Sequence, residues 1–226
     1  MRFAIFSDLH DNFAALLRVL ADAEQQRADQ LIFLGDAGRD PQLLSELQQR
    51  GVACTFGNWE VSGLRHLAVP LADWVGAWSA TLMLGDAIFC HATPNMPAKV
   101  TNTVTAGQMM ANGISWSTLF PRLNRNEQAR WEALAALETV NRRVAFHGHT
   151  HIQMVWAWQA DQAGHRQLRS FTEPTEFALD VGPDHAPTRY LIGVGSAGQP
   201  DDGPQLRYAL YDDQAQRVLL RRLDVK

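Results

Sequence analysis

Five short apolar runs in the first two-thirds of the chain end on the same kind of residue. Residues 3–6 run into Ser7-Asp8, 31–34 into Gly35-Asp36, 52–56 into Gly57-Asn58, 87–90 into His91, and 144–146 into His147-Gly148-His149. Aliphatic and aromatic runs of this length read as buried strands. Between the first three, Phe13, Leu16, Leu17 and Leu20 repeat at i, i+3, i+4 and i+7, and Leu43, Leu44 and Leu47 share one helical face. The pattern is βαβαβ, which predicts a parallel sheet with short loops at the strand C-termini. Open α/β sheets place their sites in the crevice at that edge, so the polar residues should converge there.

The rest of the chain changes style. SATLMLGDAIFC holds two apolar segments around Gly85-Asp86, a hairpin signal. Residues 91–125, rich in Thr, Asn, Pro and Met, read as loop. Residues 126–140 carry Trp131, Leu134 and Leu137 on a helical spacing, with Asn124 or Asn126 as the cap. From Ile152 onward, MVWAW, RQLRSF, RYLIGV, LRYALYD and RVLLRRL read as strands separated by Gly and Pro turns. With no linker or repeat, residues 1–226 read as one α/β domain whose first sheet is fed by helices and whose second is more antiparallel.

Composition removes several function classes. At 46% hydrophobic and 19% charged the chain is ordinary for a globular protein, which excludes intrinsic disorder. Lys+Arg 20 against Asp+Glu 24 leaves a net charge of −4, so no general nucleic-acid-binding surface is expected and any phosphate must be held locally. No long apolar stretch or signal peptide points to a membrane, and Cys54 and Cys90 sit in strand-like runs as small core residues. A cytoplasmic protein is expected.

Taken singly, the polar residues have ordinary readings. Asp8 can cap the following helix, His10 can be a loop residue, and Gly35-Asp36 is a common turn. His149 and His151 are one residue apart, which puts both imidazoles on the same side of an extended segment. Together, however, two carboxylates, one amide oxygen and four imidazoles from five strand ends are costly to bury without a cation. Imidazole with carboxylate favours manganese, iron or zinc over calcium, and an Asp able to bridge suggests two ions about 3.5–4 Å apart.

The order D-x-H, G-D-x-x-R, G-N-x-E, H, G-H-T-H over Asp8 to His151 resembles the calcineurin-like metallophosphoesterase superfamily, most closely its small prokaryotic phosphodiesterase-like branch. The turn at residues 195–200, GSAGQP, is a further similar segment. The resemblance implies a four-layer α/β/β/α sandwich of two mixed sheets with the metal site at strand C-terminal ends. It implies that Asp8, His10 and His151 hold one divalent ion, that Asp36 bridges, and that Asn58, His91 and His149 hold the second. Manganese is the first choice for both, with iron, zinc or magnesium as alternatives. The implied substrate is a phosphate ester, a phosphodiester or nucleotide-type phosphate, attacked by a hydroxide shared between the ions. Two such ions leave a site charge of about +1, so an acidic protein still attracts phosphate. Arg39 matches the family arginine, as a clamp on a phosphate oxygen or as a structural ion pair. Two alternatives stay open, a metal-binding scaffold without turnover and a protein phosphatase, and so does a homo-oligomer.

One position departs from the family's G-N-H-[DE]: here it reads Gly57-Asn58-Trp59-Glu60. The missing histidine is the usual proton donor to the leaving oxygen, so activated leaving groups are favoured unless another residue supplies the proton. His66 and His147 are the candidates, His66 having the plainer reading of a surface residue on a short helix. Trp59 either stacks on a base or packs. Residues 193–198, GVGSAG, spell a dinucleotide fingerprint but run into QPDDGP rather than a helix, and so read as a tight loop near the ligands. Trp116 is expected to wall a pocket, with Arg122 and Arg125 as phosphate contacts.

Overall fold

The N-terminal alternation folds as its periodicity dictates. In a computed structural model that describes residues 1–160, 166–171, 175–180 and 187–224, β1 (Arg2–Phe6), α1 (Phe13–Gln25), β2 (Gln30–Phe33), α2 (Pro41–Gln49) and β3 (Ala53–Cys54) follow in order. The three strands pair in parallel. Asn12, not Asp8, caps α1, its side-chain oxygen accepting from Ala15 N at 3.0 Å. Asp40 caps α2, with Pro41 in the first turn. The ladder of β3 stops earlier than expected because the chain crosses toward Ser79, whose carbonyl takes the Phe56 N–H at 3.1 Å.

Two short helices the sequence did not define come next, α3 (Asn58–Gly63) and α4 (Val69–Gly76), separated by a 3-10 turn at Leu64–His66. The expected hairpin is present as β4 (Thr81–Leu84) and β5 (Ala87–Cys90). Residues 91–125 are not the loop expected of them, since they contain α5 (Thr103–Ala111) and α6 (Trp116–Leu119). Their composition hides the helix starts, which rest on local side-chain bonds. Asn102 accepts from Thr105 N (2.9 Å) while Thr105 Oγ accepts from Asn102 N (3.0 Å), a reciprocal cap. Burial of Thr103 and Ala106 does the rest. α7 (Glu127–Thr139) is capped by Asn126.

The later strands are β6 (Val144–His147), β7 (Gln153–Ala160), β8 (Arg166–Phe171), β9 (Glu176–Ala178), β10 (Arg189–Val194), β11 (Leu206–Asp212) and β12 (Arg217–Leu223). Turns expected at 161–165, 172–174 and 181–186 lie outside the described residues. The strand orders are β3-β2-β1-β11-β12-β9 and β4-β5-β6-β10-β7-β8. Both sheets are mixed. β11 and β12 return antiparallel to the first, and β5, β6 and β10 run parallel inside the second. The second sheet is therefore less antiparallel than expected, and each sheet draws strands from both halves of the chain.

Strand alternation sorts side chains into three apolar layers. Ala4 and Phe6 of β1 face α1 and α2, whereas Phe3 and Ile5 face the other sheet. In β6, Val144 and Phe146 fill the space between the sheets and Ala145 meets α7 through Ala133, Leu134 and Leu137. The layers are thus α/β/β/α. Between the sheets, Phe89 and Phe146 stack at 5.5 Å and Phe146 meets Tyr211 at 5.1 Å, which locks the sheets in register.

The turn after β10 is laced to the loop after β1. Ala197 N donates to Ser7 O (2.9 Å), Gly198 N to Asp8 O (3.0 Å) and Ser196 Oγ to Asp8 O (2.7 Å). A Cβ on Gly198 would lie 1.9 Å from the Leu9 carbonyl oxygen, which is backbone and cannot swing away. Gly198→Ala is therefore expected to destabilise the fold by about 2 kcal/mol, lowering Tm by roughly 4–8 °C. Differential scanning calorimetry checks this, and an unchanged Tm would show that the turn is not tightly held.

Candidate metal centre

The carboxyl ends of β1, β2, β5 and β6 bring two Asp-His-His groups together, one of Asp8, His10 and His151 and the other of Asp36, His91 and His149, with ligand-type atoms in each within 4.8 Å of one another. In the first, His151 Nε2 lies 3.3 Å and His10 Nε2 3.9 Å from Asp8 Oδ1. In the second, Asp36 Oδ2 is 3.6 Å from His91 Nε2, and Asn58 Oδ1 is 3.2 Å from the same nitrogen. Asp36 Oδ2 is also 4.0 Å from His10 Nε2, so this carboxylate stands between the groups.

His149 and His151 do not share one side of an extended segment. Their φ values are 62° and 60°, and Thr150 N closes a tight turn onto Gly148 O at 2.7 Å, which sends the two rings to different groups. Asp8, His10, Asp11 and Asp36 also have φ between 47° and 64°. Each costs roughly 1–2 kcal/mol in a non-glycine residue, strain that collects at functional sites.

The donor set fits a pair of cations. His91 Nδ1 faces Leu34 O at 2.9 Å and must donate to it, so Nε2 carries a lone pair. That lone pair points at two further acceptors, Asn58 Oδ1 and Asp36 Oδ2. His10 Nε2 and His151 Nε2 share a hydrogen bond at 3.1 Å, one ring donating to the other. Asp8 Oδ1 and His10 Nδ1 are buried with no hydrogen-bond partner. Converging acceptors repel unless something positive lies among them.

Electrostatics point the same way. Burial pulls His91 down to about 4, and burial with the neighbouring His91 pulls His149 down to about 3, so both rings are neutral near pH 7. Burial followed by the charges of Glu60 and Asp8 pushes Asp36 well above the usual carboxylate range. Burial works against ionisation of Asp8 as well, but the His151 imidazole, 3.3 Å from Oδ1, holds it below its ordinary value.

Glu60, quoted in the G-N-x-E order but given no role by the sequence, organises the centre. Its buried carboxylate accepts from Asp36 N (2.8 Å), Ala37 N (2.8 Å) and Gly57 N (2.6 Å), tying the loop after β2 to that after β3. The loops touch so closely that a Cβ on Gly57 would lie 2.2 Å from Asp36 Oδ1. The signal was available, because a carboxylate two residues after a ligand at the start of a helix can reach back to backbone N–H groups. Trp59 N donates to Asp36 Oδ1 (2.8 Å), and the Trp59 ring stands edge-on to His10 at 5.0 Å.

The other sequence candidates lie farther out. Arg39 is exposed, passes Gly63, and forms no ion pair among the described residues, so the structural-ion-pair reading fails. His66 is exposed on the 3-10 turn and takes a bond from Arg65 Nε (3.1 Å); it bonds to none of the seven candidate ligands. His147 is fully buried, with Nδ1 3.0 Å from Gly148 O and Nε2 unpartnered. Arg122 is half-buried and reaches His149 O at 3.5 Å, whereas Arg125 is exposed. Trp116 does line a cavity with Asn58 and His149.

Comparison with known proteins bears on the family and the fold. The family model of the calcineurin-like phosphoesterase superfamily domain matches residues 1–216. A metallophosphoesterase from Sphaerobacter thermophilus superposes with a TM-score of 0.71 at 22% identity, over 100% of this chain and 90% of that one. An archaeal phosphodiesterase gives 0.51 at 13% identity over 99% and 100%, and a dimetal phosphatase from Danio rerio gives 0.51 at 10% over 100% and 96%. Curated protein sequences give no significant match.

Asp36 sets a trade between stability and metal. Its pKa is raised above 3.8 in the fold, so its carboxyl contributes stability that is present below about pH 3.8 and is lost as pH rises through the folded value. In chelator-stripped protein, Asp36→Asn is therefore expected to raise Tm near neutral pH and to leave it unchanged in acid, since the amide oxygen can still accept from Trp59 N. A divalent ion held at the centre, tested with manganese, would raise the wild-type Tm by about 5–10 °C at a hundredfold excess over Kd, and the same variant should lose that rise. Calorimetry with and without manganese at both pH values checks the sign.

Proposed function

Because the chain belongs to the calcineurin-like phosphoesterase superfamily, we propose that it is a dinuclear metal-dependent phosphoesterase acting on a phosphodiester or nucleotide-type phosphate. The observation that carries this reading is the placement of Asp36 Oδ2 between the two groups, 3.6 Å from His91 and 4.0 Å from His10. Asp8, His10 and His151 would hold one ion and Asn58, His91 and His149 the other, with Asp36 shared. Bound divalent ions supply activated water and neutralise phosphoryl oxygens. Manganese suits the mixed imidazole and carboxylate set, with iron, zinc or magnesium also compatible.

The chain's own residues prepare the site. Leu34 O fixes the His91 tautomer, Trp59 N occupies Asp36 Oδ1 and leaves Oδ2 for the centre, and Glu60 pins the Asp36 backbone. Arg39, exposed and without an ion pair among the described residues, is available to a non-bridging phosphate oxygen, and Arg122 approaches from the His149 side. An ester whose leaving group needs no proton suits this arrangement, because Trp59 stands where the family's histidine would and His66 bonds to Arg65 instead of the centre. No helix among the described residues is long and apolar enough to cross a membrane. Cys54 and Cys90 are buried free thiols, in keeping with a reducing cytoplasm.

Trp59 also favours one second reading, a metal-binding scaffold without turnover. The two part company on hydrolysis of bis-p-nitrophenyl phosphate and p-nitrophenyl phosphate by chelator-stripped protein with manganese, zinc, magnesium or nothing restored. The expected result is metal-dependent diester turnover that falls in Asp36→Ala by more than about a hundredfold, beyond the loss typical of residues that only orient ligands. Stoichiometric metal uptake with neither ester hydrolysed would favour the scaffold, and full activity in Asp36→Ala would overturn the dinuclear mechanism.

A further inference from the structure

The chain has seven tryptophans, and the two most exposed flank the same centre: Trp59 at 37% and Trp116 at 46%. The other five, Trp74, Trp78, Trp131, Trp156 and Trp158, are buried or half-buried in the core layers. A large aromatic face left in water at the edge of a polar site forgoes the gain of burial, which a ligand ring can restore.

Trp116 borders a cavity of about 410 Å³ lined by Asn58, Ser62, Trp116, Ser117, Phe120 and His149. The volume falls in the range of small-molecule sites. Asn58 and His149 are candidate ligands of the second ion, so the cavity opens directly from the centre. Its aromatic wall is rigid: Trp116 lies on Phe120 at 5.5 Å and 31°, and Phe120, only 5% exposed, stands edge-on to His91 at 5.8 Å and to Phe56 at 6.2 Å. Such a wall is ordered before a ligand arrives.

The lining also excludes ligands. Among the described residues it holds no Asp, Glu, Lys or Arg, so it offers nothing to the charge of a second phosphate. Its polar groups are two hydroxyls, one amide, the His149 imidazole and the Trp116 indole N–H, few and uncharged, as in sites that orient a mostly apolar ligand.

Building on the phosphoesterase reading above, we propose that this cavity is a subsite for a planar, uncharged aromatic arm of the phosphate ester, a nucleobase or aryl group, and that Trp116 is its specificity-determining residue. The phosphate would sit at the centre and the ring would lie along Trp116.

Binding tests this without turnover. Adenosine 5′-monophosphate and ribose 5-phosphate share the sugar phosphate and differ by the ring, and titration calorimetry of the manganese-supplemented full chain compares them. The wild type is expected to bind the nucleotide about tenfold or more tightly, the scale of one base on one aromatic ring. Trp116→Ala should bring the nucleotide to the level of ribose 5-phosphate while changing the latter by less than about twofold, and Trp116→Phe should keep most of the preference. Equal binding of both ligands by the wild type, or parallel loss of both in Trp116→Ala, would overturn the subsite. A wild type that prefers the nucleotide yet hydrolyses neither p-nitrophenyl ester would overturn the enzyme reading and leave the subsite standing. One that hydrolyses the diester yet binds both ligands alike would refute the subsite alone.

Discussion

Asp36 is 2% exposed, with Glu60 bonded to its own backbone N–H and Asp8 across the same crevice, and a chain does not bury three carboxyls together without compensation. Part of the compensation is internal. Glu60 is satisfied by three backbone N–H groups, and Asp8 takes the His149 N–H at 3.0 Å. The remainder is an array of ring nitrogens and side-chain oxygens from His10, His91, His151, Asn58 and Asp36 directed inward. Much of the surrounding structure can be understood as holding that array closed, from the positive-φ residues in the loops to the close approach of Gly57 and Gly198 to neighbouring backbone and carboxylate atoms.

Legibility in the sequence followed the strength of periodic signals. Strands β1, β2, β5 and β6 announce themselves as continuous apolar runs because both of their faces are buried, and helices α1, α2 and α7 as spaced apolar positions because their burial is one-sided. The Asp, Asn and His residues stood out because each directly follows such a run. Helix α5 was hidden because Thr-Val-Thr-Ala-Gly has poor intrinsic preference, and a side-chain cap with burial of Thr103 and Ala106 overrides it. The return of β11 and β12 to the first sheet is a tertiary choice that local patterning does not encode.

Within the centre, the reading of residue types went further than that of side-chain direction. An extended path through Gly148-His149-Thr150-His151 would point both rings one way, but left-handed backbone at both histidines divides them between two groups. Glu60 carried no role in the sequence reading, and its three backbone bonds make it a positioning residue for Asp36. Trp59 also orients Asp36 through its N–H, while its ring stands edge-on to His10.

The first Asp-His-His group joins residues 141 positions apart, His10 after β1 and His151 after β6. The loop after β1 also needs the turn at 196–198, delivered by β10. Contacts of such separation form late, because a long segment must be ordered before they yield anything. During synthesis, a chain that has emerged only through α7 presents Asp8, His10, Asp36, Asn58 and His91 but neither His149 nor His151. Each group is then one imidazole short, and an ion that requires either group in full finds it only when the second sheet is assembled. Loading of both groups would therefore report that the two sheets have docked.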